Sequence, residues 1–320
     1  MRIFRKIFAT TVAAFVSAGA FAFDASQFTD SLDKYDETVA TINDGLLDFS
    51  KQLANAIPQA ATQQNVWADA YIGKLFPSAK PHFGGGFNMG VTHIDTSGVA
   101  KAADALGIGG IKDNYYYPVF TADLRIGGLL LPFDVDIAVM KTGTLSTDAF
   151  GCDLDVDFLT IGADFRYSLL EEGIILPGIS AGVGYFYNQG SFGAGNDDAE
   201  LAIDYKVHTM YVQAQVSKKL LIFTPFLGIR GIVSKYDNAY SWKIKNSTVV
   251  SAINALGKTS SGADSYTSDA FDFNAIQPQV YAGIGFNLLF MQATLSISAD
   301  LRNVWDDGLW SGSFSLRAKL

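Results

Sequence analysis

The spacing of apolar positions changes once along the chain, from a helical period to a period of two. Between residues 26 and 57, apolar side chains recur at alternating intervals of four and three residues, the pattern of one face of an amphipathic helix. The residues of this apolar stripe are Phe28, Leu32, Tyr35, Val39, Ile42, Leu46, Phe49 and Leu53. The residues between them are mostly polar and often acidic, and we expect Pro58 to end the helix.

The stripe must be buried, and its pattern leaves the partner open. A regular stripe of this kind can associate with a second copy of the chain in a coiled coil. It can equally pack against another part of its own chain, including the barrel described below. The acidic opposite face disfavours adsorption to an anionic lipid surface. Gly45 weakens the helix by up to about 1 kcal/mol in either arrangement.

From residue 80 to the end, apolar and polar residues alternate, which is the period of a β-strand whose two faces meet different environments. In segment 115–128, for example, Phe120 lies on one face and Asp123 and Arg125 lie on the other. Ten such segments can be delimited. Seven lie at 82–95, 115–128, 132–142, 154–168, 177–188, 205–218 and 222–236, and the last three have apolar faces over 280–288, 291–301 and 314–320.

The links between these segments alternate between short and long, which separates two ends of the predicted sheet. Short links lie near 128–131, 169–175, 218–221 and 289–290, and longer ones at 96–114, 143–153, 189–204, 237–275 and 303–308. Outer-membrane barrels have short periplasmic turns and long outer loops. The pattern therefore predicts an all-β membrane barrel of about ten antiparallel strands, preceded by the N-terminal amphipathic α-helix. A secreted β-sandwich would also alternate, but the polar face here is rich in Gly, Ser, Thr and Gln rather than in Lys and Glu.

Composition and charge narrow the class of protein. Charged residues make up 17% of the chain, and beyond the first two dozen residues no apolar run approaches the roughly 20 residues of a membrane helix. The excess of 32 Asp and Glu over 23 Lys and Arg disfavours nucleic-acid binding. A basic start, an apolar stretch and Ala20-Phe21-Ala22 predict a cleaved signal peptide over 1–22. We therefore expect a periplasmic helix and linker over 23–79 and an outer-membrane barrel over 80–320.

Over residues 80–320, together with the signal peptide, the chain resembles bacterial single-chain outer-membrane β-barrel proteins. The stretch IGKLFPSAKPHFGGGFNMGV, residues 72–91, resembles the approach to the first strand in uncharacterised outer-membrane proteins of spirochaete type. The resemblance implies outer-membrane lipid and the barrel-assembly machinery as partners, and the stripe adds a homo-oligomer through 26–57. The chain departs from the pattern by ending in Leu320, where such barrels usually end in an aromatic residue.

The polar face of the predicted strands carries the candidate site. If the first short turn is tight, Arg125 lies opposite Asp134 and Asp123 lies opposite Asp136. The predicted lumen ion-pair network consists of Asp123, Arg125, Asp134, Asp136, Asp164, Arg166, Arg230, Asp300, Arg302 and Arg317. Ten strands leave a narrow interior that side chains can largely fill. The mixed signs therefore predict a filled, internally paired lumen rather than a selective pore.

The long links contain two short apolar segments, 99–110 and 249–257, which share the sequence Ala-Leu-Gly. As helices, these segments would cover the mouth of the barrel or form an apolar groove there.

The sequence gives little support for catalysis. His82, His93 and His208 accompany no triad, metal-ligand or phosphate-loop spacing, and the single Cys152 allows no intrachain disulfide. Ten-stranded surface proteases of the outer membrane use acidic pairs with a rim His, and only His93 with Asp95 resembles such a site. We expect no enzymatic activity, cofactor or metal. The expected role is a structural or binding barrel with surface-exposed loops; the alternative is a pore or transporter for small or apolar solutes.

Overall fold

The computed structural model describes residues 25–75, 82–108, 111–141, 145–149, 152–302 and 308–320. The signal peptide predicted for 1–22 lies outside these residues. Within them the chain forms an N-terminal helix, α1 (Ala25–Gln63), followed by twelve β-strands and two short helices, α2 (Ser97–Ala105) and α3 (Ser247–Ala255). No helix of the described chain is long and apolar enough to cross a membrane.

Ten of the described strands close an antiparallel barrel, which confirms the predicted fold class. In chain order the strands are β1 (Phe83–Asp95), β2 (Asn114–Gly127), β3 (Phe133–Lys141), β4 (Leu145–Ala149), β5 (Cys152–Leu170), β6 (Gly178–Gly195), β7 (Ala199–Ser217), β8 (Phe223–Ile244), β9 (Ser261–Thr267), β10 (Gln277–Leu288), β11 (Met291–Asp300) and β12 (Trp310–Lys319). Closure comes from β8 pairing with β10 and β12 pairing with β1. The two strands outside the ring, β4 and β9, extend β5 and β8 at the long-loop end.

The two faces of the barrel wall have opposite polarity. On β1, Phe87 is 71% exposed on the outside, whereas its neighbour Asn88 is 2% exposed and points into the lumen. The same alternation leaves Leu124, Ile137, Val212 and many other apolar side chains exposed on the outer face. An apolar exterior around a polar interior is the reverse of a water-soluble sandwich, in which the apolar face packs inside.

Helix α1 lies inside the barrel and enters it from the long-loop end. Near its start, Lys258 of the β8–β9 loop pairs with Asp36 at 2.8 Å. At its end, the Gln63 side chain donates hydrogen bonds to Ser296 and Ser313 of the wall. The segment predicted as a periplasmic helix and linker, 23–79, therefore has its buried part, from Ile42 to Ala70, within the lumen. The prediction that Pro58 ends the helix is wrong, because burial of the final turns on every side offsets the lost backbone hydrogen bond.

The apolar stripe packs against the wall of its own barrel, which is one of the arrangements that the sequence left open. Tyr35, Ile42, Leu46, Phe49 and Leu53 are at most 6% exposed, while Leu32 and Val39 are half-buried. The part of the wall that contacts the stripe is apolar and consists of inward side chains of β2, β7 and β8. These are Tyr117, Val119, Leu201, Ile203, Tyr205, Val207, Tyr236, Tyr240 and Trp242.

The two predicted loop segments begin in helices, and α2 crosses α1 in close contact. A Cβ atom added to Gly45 of α1 would overlap the carbonyl oxygen of Gly98 of α2. In the same way, a Cβ atom added to Gly98 would lie 2.5 Å from the carbonyl oxygen of Gly45. Gly45 therefore brings the two helix backbones together, a role that outweighs its low helix propensity.

Replacing Gly45 with Ala should destabilise the protein, although Ala is the better helix former by about 1 kcal/mol. The added methyl group overpacks the helix crossing, which costs about 1–3 kcal/mol. Urea unfolding of the barrel refolded into lipid vesicles measures the change. Ala40, which is exposed on the same helix, provides the control. Ala40→Gly should lose about 1 kcal/mol through propensity alone, and a gain in stability for Gly45→Ala would contradict the close crossing.

Candidate functional site

The short-turn half of the lumen is filled by residues 56–75, which we call the plug. Every residue from 56 to 70 is buried. The plug comprises the last two turns of α1 and an irregular stretch, with a turn at 64–65, that leaves the helix at Gln63. The final carbonyls of a helix and those of an irregular chain lack the regular backbone partners of a helix or a sheet. Asn65 N–H donates to the Thr62 carbonyl at 3.4 Å, and the other partners of these carbonyls come from the barrel wall.

Wall side chains donate a hydrogen bond to each of the nine consecutive plug carbonyls from Thr62 to Ala70. Arg230 donates to Thr62, Asn88 to Gln63 and Gln64, Arg166 to Asn65, Arg317 to Val66, Gln215 to Trp67 and Ala68, and Arg125 to Asp69 and Ala70, at distances of 2.7–3.3 Å. The wall therefore recognises the path of the plug backbone, whatever its side chains contribute.

The four lumen arginines share one geometry. In each, Nε donates to an oxygen of a wall side chain, and a terminal guanidinium nitrogen donates to a plug carbonyl. The acceptors of Nε are Asp134 for Arg125 (2.8 Å), Asp164 for Arg166 (2.6 Å), Asp123 for Arg317 (2.7 Å) and Gln213 for Arg230 (3.0 Å). The wall acceptor orients the planar group, and the fixed fork of donors then reaches the plug.

Trp67 of the plug lies between two of these arginines. The guanidinium carbon of Arg317 is 4.3 Å from the centroid of the indole ring, and that of Arg125 is 5.4 Å from it. The indole Nε1 donates to Asp136 at 3.1 Å, and Trp67 is completely buried. Two cation–π contacts and the hydrogen bond of Nε1 thus hold the ring in place.

Asp69 joins the plug to the wall through charged and polar partners at the short-turn end. Its carboxylate accepts hydrogen bonds from Lys319 at 2.7 Å and Gln292 at 2.8 Å, and it lies 3.7 Å from the half-exposed Lys219 at the rim. Among the described residues, the wall here buries four arginines, Arg125, Arg166, Arg230 and Arg317, and four aspartates, Asp123, Asp134, Asp136 and Asp164, while Lys319 is partly exposed. The plug therefore supplies the carboxylate that pairs with Lys319.

Eight of the ten predicted lumen residues surround the plug, and two lie elsewhere. Asp300 and Arg302 pair with each other at 2.7 Å near the long-loop end, where Arg302 also donates to Asn55 of α1. The predicted cross-strand register of the first turn is wrong by two residues, since Arg125 lies opposite Asp136 and Gly127 opposite Asp134. The turn is longer than assumed. Arg125 still binds Asp134, because diagonal neighbours lie within reach of a long side chain.

Glycine makes one of these ion pairs possible. Gly86 of β1 lies between Arg317 of β12 and Asp123 of β2 in the same row of the sheet. A Cβ atom at Gly86 would collide with the Arg317 backbone and approach its Cγ to 3.0 Å. Its absence lets the guanidinium cross the strand to reach Asp123.

The rim residues His93 and Asp95 have separate partners. His93 stacks on Trp310, with 6.0 Å between the ring centroids and 3° between the planes. Asp95 accepts the backbone N–H of Ser97 at the start of α2. Within the described residues, no three His, Cys, Asp or Glu side chains are grouped to hold a metal ion.

No protein-family model and no curated protein matches the chain. Among solved structures, it is similar to the translocator domain of the autotransporter NalP from Neisseria meningitidis, at 8% identity over 77% of this chain and 91% of that one, with a TM-score of 0.38. A Pseudomonas aeruginosa FadL homologue matches at 9% identity over 79% and 96%, with a TM-score of 0.25. Ail, the attachment invasion locus protein of Yersinia pestis, matches at 13% identity over 74% and 95%, with a TM-score of 0.17.

All three are bacterial outer-membrane β-barrels, and this likeness concerns the fold alone. These matches have TM-scores below 0.5, so the closed antiparallel barrel rests on the strand pairing and not on them. The narrower resemblance of residues 72–91 to spirochaete proteins finds no support among these structures.

Arg125→Lys should lower the free energy of unfolding by about 2–4 kcal/mol, because lysine keeps the charge but leaves buried hydrogen-bond acceptors on Asp134 and the plug unpaired. Urea titration in vesicles measures the loss. Arg302→Lys is the matched control: Arg302 also pairs with an aspartate, but its side chain is 32% exposed. That variant should lose less than about 1 kcal/mol. Equal losses in the two variants would contradict the role assigned to the buried fork.

Proposed function

We propose that the protein is a non-enzymatic barrel of the bacterial outer membrane, closed by its own N-terminal segment. Its role is structural, or is to bind partners through the long loops at the cell surface. The observation that carries the proposal is the unbroken series of wall donors to the plug carbonyls from Thr62 to Ala70. Side chains that serve the plug so completely are not free to line a channel for a solute.

The proposed location rests on the outer face of the wall. Its exposed apolar side chains suit lipid acyl chains, so outer-membrane lipid is the proposed partner of that face. Export through a cleaved signal peptide and insertion by the barrel-assembly machinery belong to the same proposal. The spirochaete-type assignment remains a prediction.

The alternative function, transport of small or apolar solutes, requires the plug to move. Leaving the lumen would remove Trp67 from both arginines and return Asp69 and the wall cations to water. Backbone and side-chain contacts would be lost together, because the same segment makes both. The proposed resting state is therefore closed.

Association of copies through 26–57 also remains a prediction. Ile42, Leu46 and Leu53 are at most 1% exposed against the wall of their own barrel. While the helix occupies the lumen, these side chains are not available to a second copy.

The protein inserted into planar lipid bilayers should show no conductance steps, since the plug occupies the lumen. A variant lacking residues 25–70 should give stable steps, because this deletion removes α1 and most of the plug, which together fill the lumen. Circular dichroism and the gel shift on boiling establish that both chains are folded barrels. Steps from the intact chain, at the frequency of the deletion variant, would contradict the closed lumen and favour the transport function.

The start of α1 should be accessible from outside intact cells, because the helix enters from the long-loop end. In a Cys152→Ser background, Lys34→Cys should react with a membrane-impermeant maleimide without permeabilisation. Lys34 is exposed beside Tyr35 and Asp36. Lys219→Cys, at the short-turn rim, is the control and should react only after the outer membrane is opened. The reverse pattern of labelling would restore a periplasmic helix.

A further inference from the structure

The four short turns at one end of the barrel are apolar and exposed. Each carries three consecutive apolar residues, 129–131, 174–176, 220–222 and 288–290, and each of the twelve side chains is between 49% and 101% exposed. Ile174, Leu221 and Leu289 are essentially as exposed as in a free chain. A ring of this size on a surface facing water would be an aggregation hazard, and it indicates a contact with another apolar phase.

Charged side chains near these turns are held by other protein groups. Lys218 donates to three carbonyls of the β5–β6 turn, at Gly173, Ile174 and Leu176, and lies 3.9 Å from Glu172. Glu171 pairs with Lys74 at the end of the plug at 3.2 Å. No charged residue interrupts any of the four apolar runs.

Two of the turns have leucine where the backbone favours other residues. Leu221 has φ 55° and Leu289 has φ 53°, in the left-handed region that glycine and asparagine adopt most easily. A leucine there strains the backbone. Both side chains are fully exposed, so no contact within the described protein compensates for the strain.

The turns continue the apolar belt of the barrel, which is short without them. On β6, outward-facing apolar residues run from Ile179 to Tyr187, above which Gln189 follows. The eight intervals between these nine residues, at about 3.3 Å each and a tilt of about 40°, span a height of roughly 20 Å. The apolar band of an outer-membrane barrel is about 25 Å high. Residues 174–176, directly before β6, extend the belt at its lower edge.

We propose that the four short turns are embedded in the membrane leaflet at that end, with lipid acyl chains covering residues 129–131, 174–176, 220–222 and 288–290. The proposal rests on the membrane location proposed above. Lipid is the occupant that the observations favour, because the turns are continuous with the lipid-facing wall and surround the whole short-turn end. Burial of the Leu221 and Leu289 side chains in acyl chains also provides free energy that offsets the strain of their left-handed backbone.

Spin labels test the environment of the turns directly. In the Cys152→Ser background, labels at Leu221→Cys and Leu289→Cys are compared with Ile137→Cys on the apolar belt and Ser265→Cys on β9 at the other end. Collision with oxygen reports acyl chains, and collision with a water-soluble nickel chelate reports solvent. In vesicles of phosphatidylethanolamine and phosphatidylglycerol, we expect labels at 221 and 289 to favour oxygen, as at 137.

The outcomes separate the two proposals. Nickel accessibility at 221 and 289, with oxygen accessibility kept at 137, would overturn the embedded turns and leave a surface for a periplasmic protein. Nickel accessibility at 137 as well would overturn the membrane barrel itself.

The sign of a substitution provides a second test. Leu221→Asn and Leu289→Asn relieve the backbone but remove the apolar side chain. If the turns lie in lipid, both variants should lower the urea midpoint in vesicles, and Leu221→Ala, which keeps the strain, should lower it too. A raised midpoint for the asparagine variants would place the turns in water and overturn the proposal.

Discussion

The backbone carbonyls of the plug are buried and need hydrogen-bond donors, and this requirement determines which polar side chains line the barrel. A chain that crosses the lumen as neither helix nor strand must find a donor for each carbonyl, since it is buried on all sides. The donors come from six different strands, which fixes the inward position of Asn88, Arg125, Arg166, Gln215, Arg230 and Arg317. Three of the wall aspartates and Gln213 follow from these, because they orient the guanidinium groups. The polar interior is thus organised around the plug.

Different interactions hold the N-terminal segment in the two halves of the lumen. Toward the long loops, α1 packs an apolar stripe against aromatic and aliphatic wall residues, and its acidic side, including Glu37 and Asp44, remains exposed. Toward the short turns, the chain is buried on all sides and is held by hydrogen bonds and ion pairs. The backbone hydrogen bonds of a helix are made within the helix, so its apolar face can pack against apolar wall residues. Where the helix ends, side chains of the wall must supply the donors that the helix backbone no longer provides.

The fold follows from sequence more completely than the site does. Each barrel strand separates lipid-like from polar surroundings, so its alternation is strong, and the first strand is predicted at 82–95 and observed at Phe83–Asp95. The same alternation predicts which charged residues point into the lumen. It does not predict the position of the plug, because the wall binds the backbone atoms of the plug, and backbone atoms leave no pattern in the sequence. Pro58 and Gly45 mislead for a related reason: local propensity predicts a weaker helix, whereas tertiary packing decides.

The use of arginine rather than lysine in this network has a geometric reason. An ammonium group presents its donors from one point, whereas a guanidinium presents them along a planar fork. Arg125 and Arg166 each satisfy an aspartate through Nε and a plug carbonyl through a terminal nitrogen. A single side chain therefore spans the wall acceptor and the plug backbone. Asp69 of the plug adds an ion pair with Lys319 of the wall at 2.7 Å, so charge pairing as well as backbone recognition joins the plug to the wall.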